Sequence, residues 1–399
     1  MTDGSVVTLG LILLIACLVA MISRRLRLPY SVGLVTAGIG LAFVPKAVDI
    51  ELTRELIFYV FLPPLVFEAA LQMRWRPFLR ALPVTLTLAS AGVAIAAACV
   101  ALGLRVLLGW SWMGAWLFGV LIAATDPVSV IAAFKEMRVA PRLGMMVESE
   151  SLLNDGTAAV GFGILVGIAT GASSGPTLVA ISILWTIAGG VACGSAVAAA
   201  ALLLTGRTED HLVQITLTTI AAYGSFILAD RFGMSGVLAS LTAGLIVGNV
   251  GYRGALCGDA RPHVLAFWQY AAFLANSIVF ILIGGHEAHE LMSLLTGSAA
   301  VVIALVMLGR ALSIYPLCLL FRWSAMKVEM PFQHVLVWGG LRGALALALA
   351  LALPGDLPER RQVITLTFAV VAFSIYAQGL TMPWLIRRLG LTEIAPAPV

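Results

Sequence analysis

The segment VESESLLNDG, Val147 to Gly156, puts ionisable and hydroxyl side chains inside a long apolar run. Ser151 and Asp155 are four residues apart and share one helical face; Glu150 and Asn154 share the neighbouring stripe. One hydroxyl and one carboxylate on a common face are hard oxygen ligands, suited to Na+ or Li+. The Asn154 amide beside them adds polarity without a second charge. Asp155 lies about 18 Å along its helix, at 1.5 Å per residue, and so near the bilayer centre. A carboxylate at that depth is costly to maintain, and a functional role outweighs that of a structural buried acid.

Two further segments combine polar groups with broken backbone. In LIAATDPVSV, Pro127 has no N–H to offer the Ala123 carbonyl and biases Asp126 away from helical geometry. The Thr125 carbonyl is therefore expected to face a cavity. Asp126 should offset the partial positive charge at the start of the next half-helix. In WGGLRGAL, Gly339, Gly340 and Gly343 loosen the backbone around Arg342. A guanidinium stays charged at any working pH and needs an anion. Glu150 is the expected partner of Arg342, bracing the two segments together.

Glu68, in FLPPLVFEAAL, follows a proline pair, and Pro64 frees the Val60 carbonyl. It can support the ion ligands, guard an access path, or simply reach toward the cytoplasmic interface. Arg310 lies within another apolar run, and structural bracing is favoured over lining a funnel. Glu148 suits the early turns of its helix and could draw cations inward. Asp230 ends its run and is expected at the interface. His286, Glu287, His289 and Glu290 spell HEAHE, which is not HExxH; they read as a solvated outward loop with no zinc. The five scattered cysteines show no CxxC spacing and read as small apolar residues.

The elements that position these groups follow from composition. Of 399 residues, 61% are apolar and 11% charged, with mean hydropathy +1.03. Soluble proteins carry about 25% charged residues, so lipid must be the main solvent and the fold all-α and polytopic. Thirteen apolar spans are predicted, near 6–23, 29–45, 53–73, 83–107, 112–134, 143–170, 177–204, 211–230, 234–250, 264–285, 293–321, 331–353 and 361–386. Sixteen Lys/Arg fall in loops on one side and six on the other, predicting an outside N-terminus and a cytoplasmic C-terminus. No cleavable signal peptide and no soluble regulatory domain are expected.

The breaks in spans 5 and 12 are seven spans apart, so those two helices should run in opposite directions. This is the pattern of inverted repeats: residues 1–170 and 211–399 as the repeats, 171–210 as a linker helix, all in one transporter domain. A cation channel would need an unbroken pore and no coupling. An intramembrane enzyme is disfavoured because GxSxG, HExxH and paired catalytic aspartates are missing.

Together FLPPLVFE, ATDP, ESLLNDG and GGLRGALALALAL resemble the monovalent cation:proton antiporter-1 family of sodium/proton exchangers, in the pattern of its short prokaryotic, NhaP-like branch. The resemblance covers essentially the whole chain. It implies a sodium/proton antiporter fold with Asp155 as the ion- and proton-carrying group. The cation would be held by Asp155, Ser151, Glu68 and Thr125, with Asn154 beside them. Glu150, Arg342, Asp126 and Arg310 would form a structural charge network. The Asn–Asp pair implies electroneutral exchange of one cation for one proton, with K+ as the rival to Na+. It also implies a homodimer in which a core bundle moves against a dimerisation bundle, in a prokaryotic plasma membrane and serving pH homeostasis. No cofactor is implied beyond the transported Na+ and H+, and no nucleic acid. Ser149 departs from the glycine that many relatives carry before the Glu-Ser pair.

Overall fold

The computed structural model describes residues 3–26, 28–43, 53–171, 175–251, 260–294 and 297–392. Among them there is no β-strand, as expected where each buried N–H and C=O must be satisfied within its own segment. The helices are α1 (Asp3–Leu26), α2 (Tyr30–Ala42), α3 (Leu56–Gln72) and α4 (Trp75–Leu107). The broken fifth segment gives α5 (Trp112–Leu121) and α6 (Val128–Met137). Next come α7 (Pro141–Ala169), α8 (Pro176–Thr205), α9 (His211–Arg231), α10 (Gly236–Asn249), α11 (Ala260–Leu294) and α12 (Gly297–Leu320). The second broken segment gives α13 (Met330–Trp338) and α14 (Ala344–Leu351), followed by α15 (Arg360–Arg388).

Seven of these helices are long and apolar enough to cross a bilayer on those grounds alone: α4, α7, α8, α9, α11, α12 and α15. Two differ from the sequence reading. Helix α4 begins at Trp75, eight residues before Pro83, and carries that proline in its interior, with a widened turn following at Leu88–Gly92. Helix α11 continues to Leu294, so HEAHE lies on a helix and not in a loop. The HEAHE side chains, and Cys257, fall outside the described residues.

The proline pair in α3 behaves as its chemistry requires. Pro64 cannot donate to Val60, and that carbonyl instead accepts from Tyr223 Oη of α9 at 2.9 Å. Helices α4, α5, α7, α12 and α14 bury an apolar core that includes Leu104, Leu117, Phe118, Leu152, Val302 and Leu349. The polar groups of the broken segments are set against this packing.

Candidate ion site between two broken helices

Each half-helix ends by handing unmatched carbonyls to an arginine. Pro127 leaves the Ala123 carbonyl free, and Arg342 Nη1 donates to it at 2.6 Å and to the Ala124 carbonyl at 3.1 Å. On the other segment, Arg310 donates to the Leu336 carbonyl through Nε (3.2 Å) and Nη2 (3.1 Å). Gln378 Nε2 takes the Trp338 carbonyl at 2.8 Å. Buried cations at helix C-terminal ends oppose the negative pole of the helix dipole as well as satisfying orphan acceptors.

The two breaks are joined directly. The Asp126 N–H donates to the Leu341 carbonyl at 2.7 Å. Asp126 Oδ1 accepts from Val128 N at 3.0 Å at the start of α6. A Cβ on Gly343 would lie 2.4 Å from Asp126 Oδ2, and one on Gly340 would lie 2.7 Å from Arg310 Nε. The glycines of the second break are thus needed for close approach of backbone to charge. Ser374 Oγ accepts the Arg342 N–H at 3.1 Å and donates to Val371 at 2.8 Å, holding the unwound stretch from behind.

The expected partnership of Glu150 with Arg342 is not what the fold builds. Glu150 pairs with Arg310, Nη1 to Oε1 at 2.7 Å and Nη2 to Oε2 at 3.0 Å, a two-pronged bond between α7 and α12. Both side chains are buried, at 6% and 2% exposure. Arg342 spends its hydrogen bonds on the α5 carbonyls and reaches Asp155 and Glu150 only through space. It is Arg310 that joins Glu150 to the second broken segment, through its bonds to the Leu336 carbonyl.

Asp155, Ser151 and Asn154 converge on the first break from α7. Ser151 Oγ donates to the Thr125 carbonyl at 2.5 Å, and Asn154 Nδ2 lies 3.3 Å from Thr125 Oγ1 and 3.4 Å from Glu150 Oε1. Asp155 Oδ1 and Asn154 Oδ1 are buried oxygens without a hydrogen-bond partner. Buried acceptors are nearly always satisfied, so the bare Asp155 oxygen is one that an entering cation or proton could satisfy.

Asp155, Thr125 and Asp126 line a cavity of about 380 Å³ that continues past Glu68, Gln72, Lys135 and Glu148. Glu68 is hydrogen-bonded to Gln72, one turn along α3. It shares the cavity with Asp155, but among the described residues no three His, Cys, Asp or Glu side chains converge on one point. Glu68 and Asp155 are therefore brought to one cavity and not to one three-acid cluster. Asp230 is exposed and accepts from Tyr59 Oη at 2.7 Å, as an interfacial acid should.

Reading the sequence missed Ser374, Gln378 and Lys135. Gln72 carried a signal, the i, i+4 spacing from Glu68. The other three had none, because their importance depends on which helices become neighbours.

The family model for the transmembrane sodium/hydrogen exchanger matches residues 11–388. The chain is 39% identical over 370 residues to the Na+/H+ antiporter ApNhaP of Aphanothece halophytica, covering 92% of this chain and 70% of that one. It is 33% identical to the Na+/H+ antiporter NhaP of Pseudomonas aeruginosa, covering 92% of each. The solved structure of the sodium proton antiporter MjNhaP1 from Methanocaldococcus jannaschii at pH 8 superposes with a TM-score of 0.76 at 20% identity, over 96% of this chain and 98% of that one. The fold and the full-length family match agree, and this integral membrane chain belongs to the sodium/hydrogen exchanger family.

Proposed function

We propose that this protein is a secondary active antiporter that exchanges Na+, or Li+, for H+ one for one, with both ions competing for Asp155. The single observation that carries this reading is the buried, unpartnered Asp155 Oδ1 on a residue that lines a cavity shared by the two broken segments. Ser151, one turn before Asp155 on the same helical face, and the Thr125 carbonyl to which it donates would replace part of the water shell of a small hard cation. The Na+/H+ antiporter names of the relatives at 39% and 33% identity support Na+ over K+.

One-for-one stoichiometry follows from charge. Protonated Asp155 and Na+-bound Asp155 carry the same net charge, whereas bare Asp155 adds a negative charge to a buried site. Moving a bare charge through a low-dielectric barrier is costly, so the empty carrier is held back and leak is suppressed. Asn154 in place of a second acid leaves no further carboxylate at that position to bring a second charge. The cavity is lined by the ends of α3, α6 and α7 that the Lys/Arg bias predicts to be cytoplasmic, which supports an alternating-access cycle in which this cavity is the inward opening. Homodimer assembly and a cytoplasmic C-terminus belong to the same proposal.

The test is transport in proteoliposomes with Na+, Li+ and K+ gradients and a pH-sensitive dye. Wild-type protein should couple Na+ and Li+ to proton movement, and Asp155→Asn should abolish the coupling with normal folding. Full coupling in that variant would overturn the assignment of Asp155. Proton movement driven by K+ as well as by Na+ would overturn the choice of ion.

A further inference from the structure

Four carboxylates line the inner cavity: Glu68 from α3, Asp126 at the start of α6, and Glu148 and Asp155 from α7. Lys135, in the last turn of α6, is the one basic residue among the lining side chains. Tyr30 of α2 is the remaining titratable group there. Lys135 acts electrostatically on both Glu68 and Glu148, yet no described acid lies within ion-pair distance of it. Lys135 is exposed at the cavity mouth and is not in ion-pair contact with either acid.

We infer that Lys135 is a positioning charge, a tethered monovalent cation at the cytoplasmic mouth that lowers the occupancy of the cavity by free cations and so sets the apparent Na+ affinity from that side. The inference rests on the antiporter reading above. A fixed +1 charge acts on every entering monovalent ion through its field, not through contact. Removing it should therefore strengthen Na+ and Li+ binding by the same factor and leave the selectivity between them unchanged. Its effect must also depend on what the entering ion replaces. At alkaline pH, Na+ enters an empty site and brings one net charge past Lys135. At acid pH, Na+ displaces a proton, no net charge enters, and the influence of Lys135 cancels. The alternative is that Lys135 only complements the C-terminal end of α6, which would affect stability and turnover without either signature.

The experiment uses everted membrane vesicles, in which added Na+ meets the cytoplasmic face, and compares wild type with Lys135→Gln, Lys135→Arg and Lys135→Glu. At alkaline pH and low ionic strength, Lys135→Gln should lower the Na+ and Li+ KM by about two- to fivefold, with little change in maximal rate. Lys135→Glu should lower it further and Lys135→Arg should match wild type. The gap should narrow at about 0.15 M of an impermeant organic salt, where the screening length is about 8 Å, and should close at acid pH. An unchanged KM in Lys135→Gln, or a shift that persists at acid pH or ignores ionic strength, overturns the inference while leaving the antiporter reading intact. Absence of Na+-driven proton movement in the wild-type vesicles would instead overturn the antiporter reading.

Discussion

Exchange of partners at Glu150 gives the sharpest test of the charge network. Replacing Arg310 with Met keeps much of the side-chain volume and removes the guanidinium. Glu150, 2% exposed, then loses both prongs at 2.7 and 3.0 Å and keeps only the Asn154 amide at 3.4 Å. Stripping one member from a buried ion pair costs about 3–5 kcal/mol. The Leu336 carbonyl also loses its two donors, at about 1–3 kcal/mol for a buried acceptor left bare. Arg310→Met should thus destabilise by about 4–8 kcal/mol, less where the site relaxes. Glu150→Gln, which strands Arg310, should cost about 3–5 kcal/mol. Neutralising both leaves no uncompensated charge, so the double variant should recover about 2–3 kcal/mol relative to the sum. The parallel cycle with Arg342→Met should return less than about 1 kcal/mol of coupling to Glu150, because Arg342 hydrogen-bonds the Ala123 and Ala124 carbonyls instead. Dodecyl sulfate titration of the purified protein in mixed micelles, followed by tryptophan fluorescence, measures the free energies of the six proteins that the two cycles need. A larger coupling for Arg342 than for Arg310 would refute the pairing.

Three further outcomes are expected. Gly343→Ala should abolish transport and lower folded yield, since its Cβ would sit 2.4 Å from Asp126 Oδ2; wild-type rates in vesicles would mean that the two breaks separate more easily than the packing implies. Tyr223→Phe should cost about 0.5–1.5 kcal/mol in the same titration by baring the Val60 carbonyl, with transport of Na+ retained. Activity should fall as pH drops, because protons occupy Asp155; if one site serves both ions, raising Na+ tenfold should move the acid limb of the uptake profile down by about one pH unit, and a fixed limb would point to a separate inhibitory proton site.

Much of this was legible along the chain because membrane helices obey short-range rules. The Pro127 break followed from a missing N–H, and the Val60 acceptor from Pro64. The stacking of Ser151 and Asp155 followed from helical period. The same rules put an acid, Asp126, at the start of α6, where its Oδ1 accepts from Val128. They were weaker at the ends of helices: α4 starts eight residues before Pro83, and α11 runs through HEAHE, because backbone hydrogen bonding continues a helix past the stretch that apolarity marks.

Composition and spacing by themselves determined a polytopic helical protein, two helices broken at ionisable residues, and one aspartate at membrane depth with a hydroxyl on its face. Only the tertiary structure decided which arginine meets Glu150. Arg310 and Arg342 were both buried cations in need of an anion, and nothing within either helix distinguishes them. The choice was made when Pro127 left the Ala123 carbonyl unmatched and the second break crossed beside it. Arg342 then lay against carbonyls that needed a donor, while α12 carried Arg310 to Glu150, 160 residues away in sequence. Helical periodicity fixes which side chains share a face; which face meets which is settled by packing across the whole bundle.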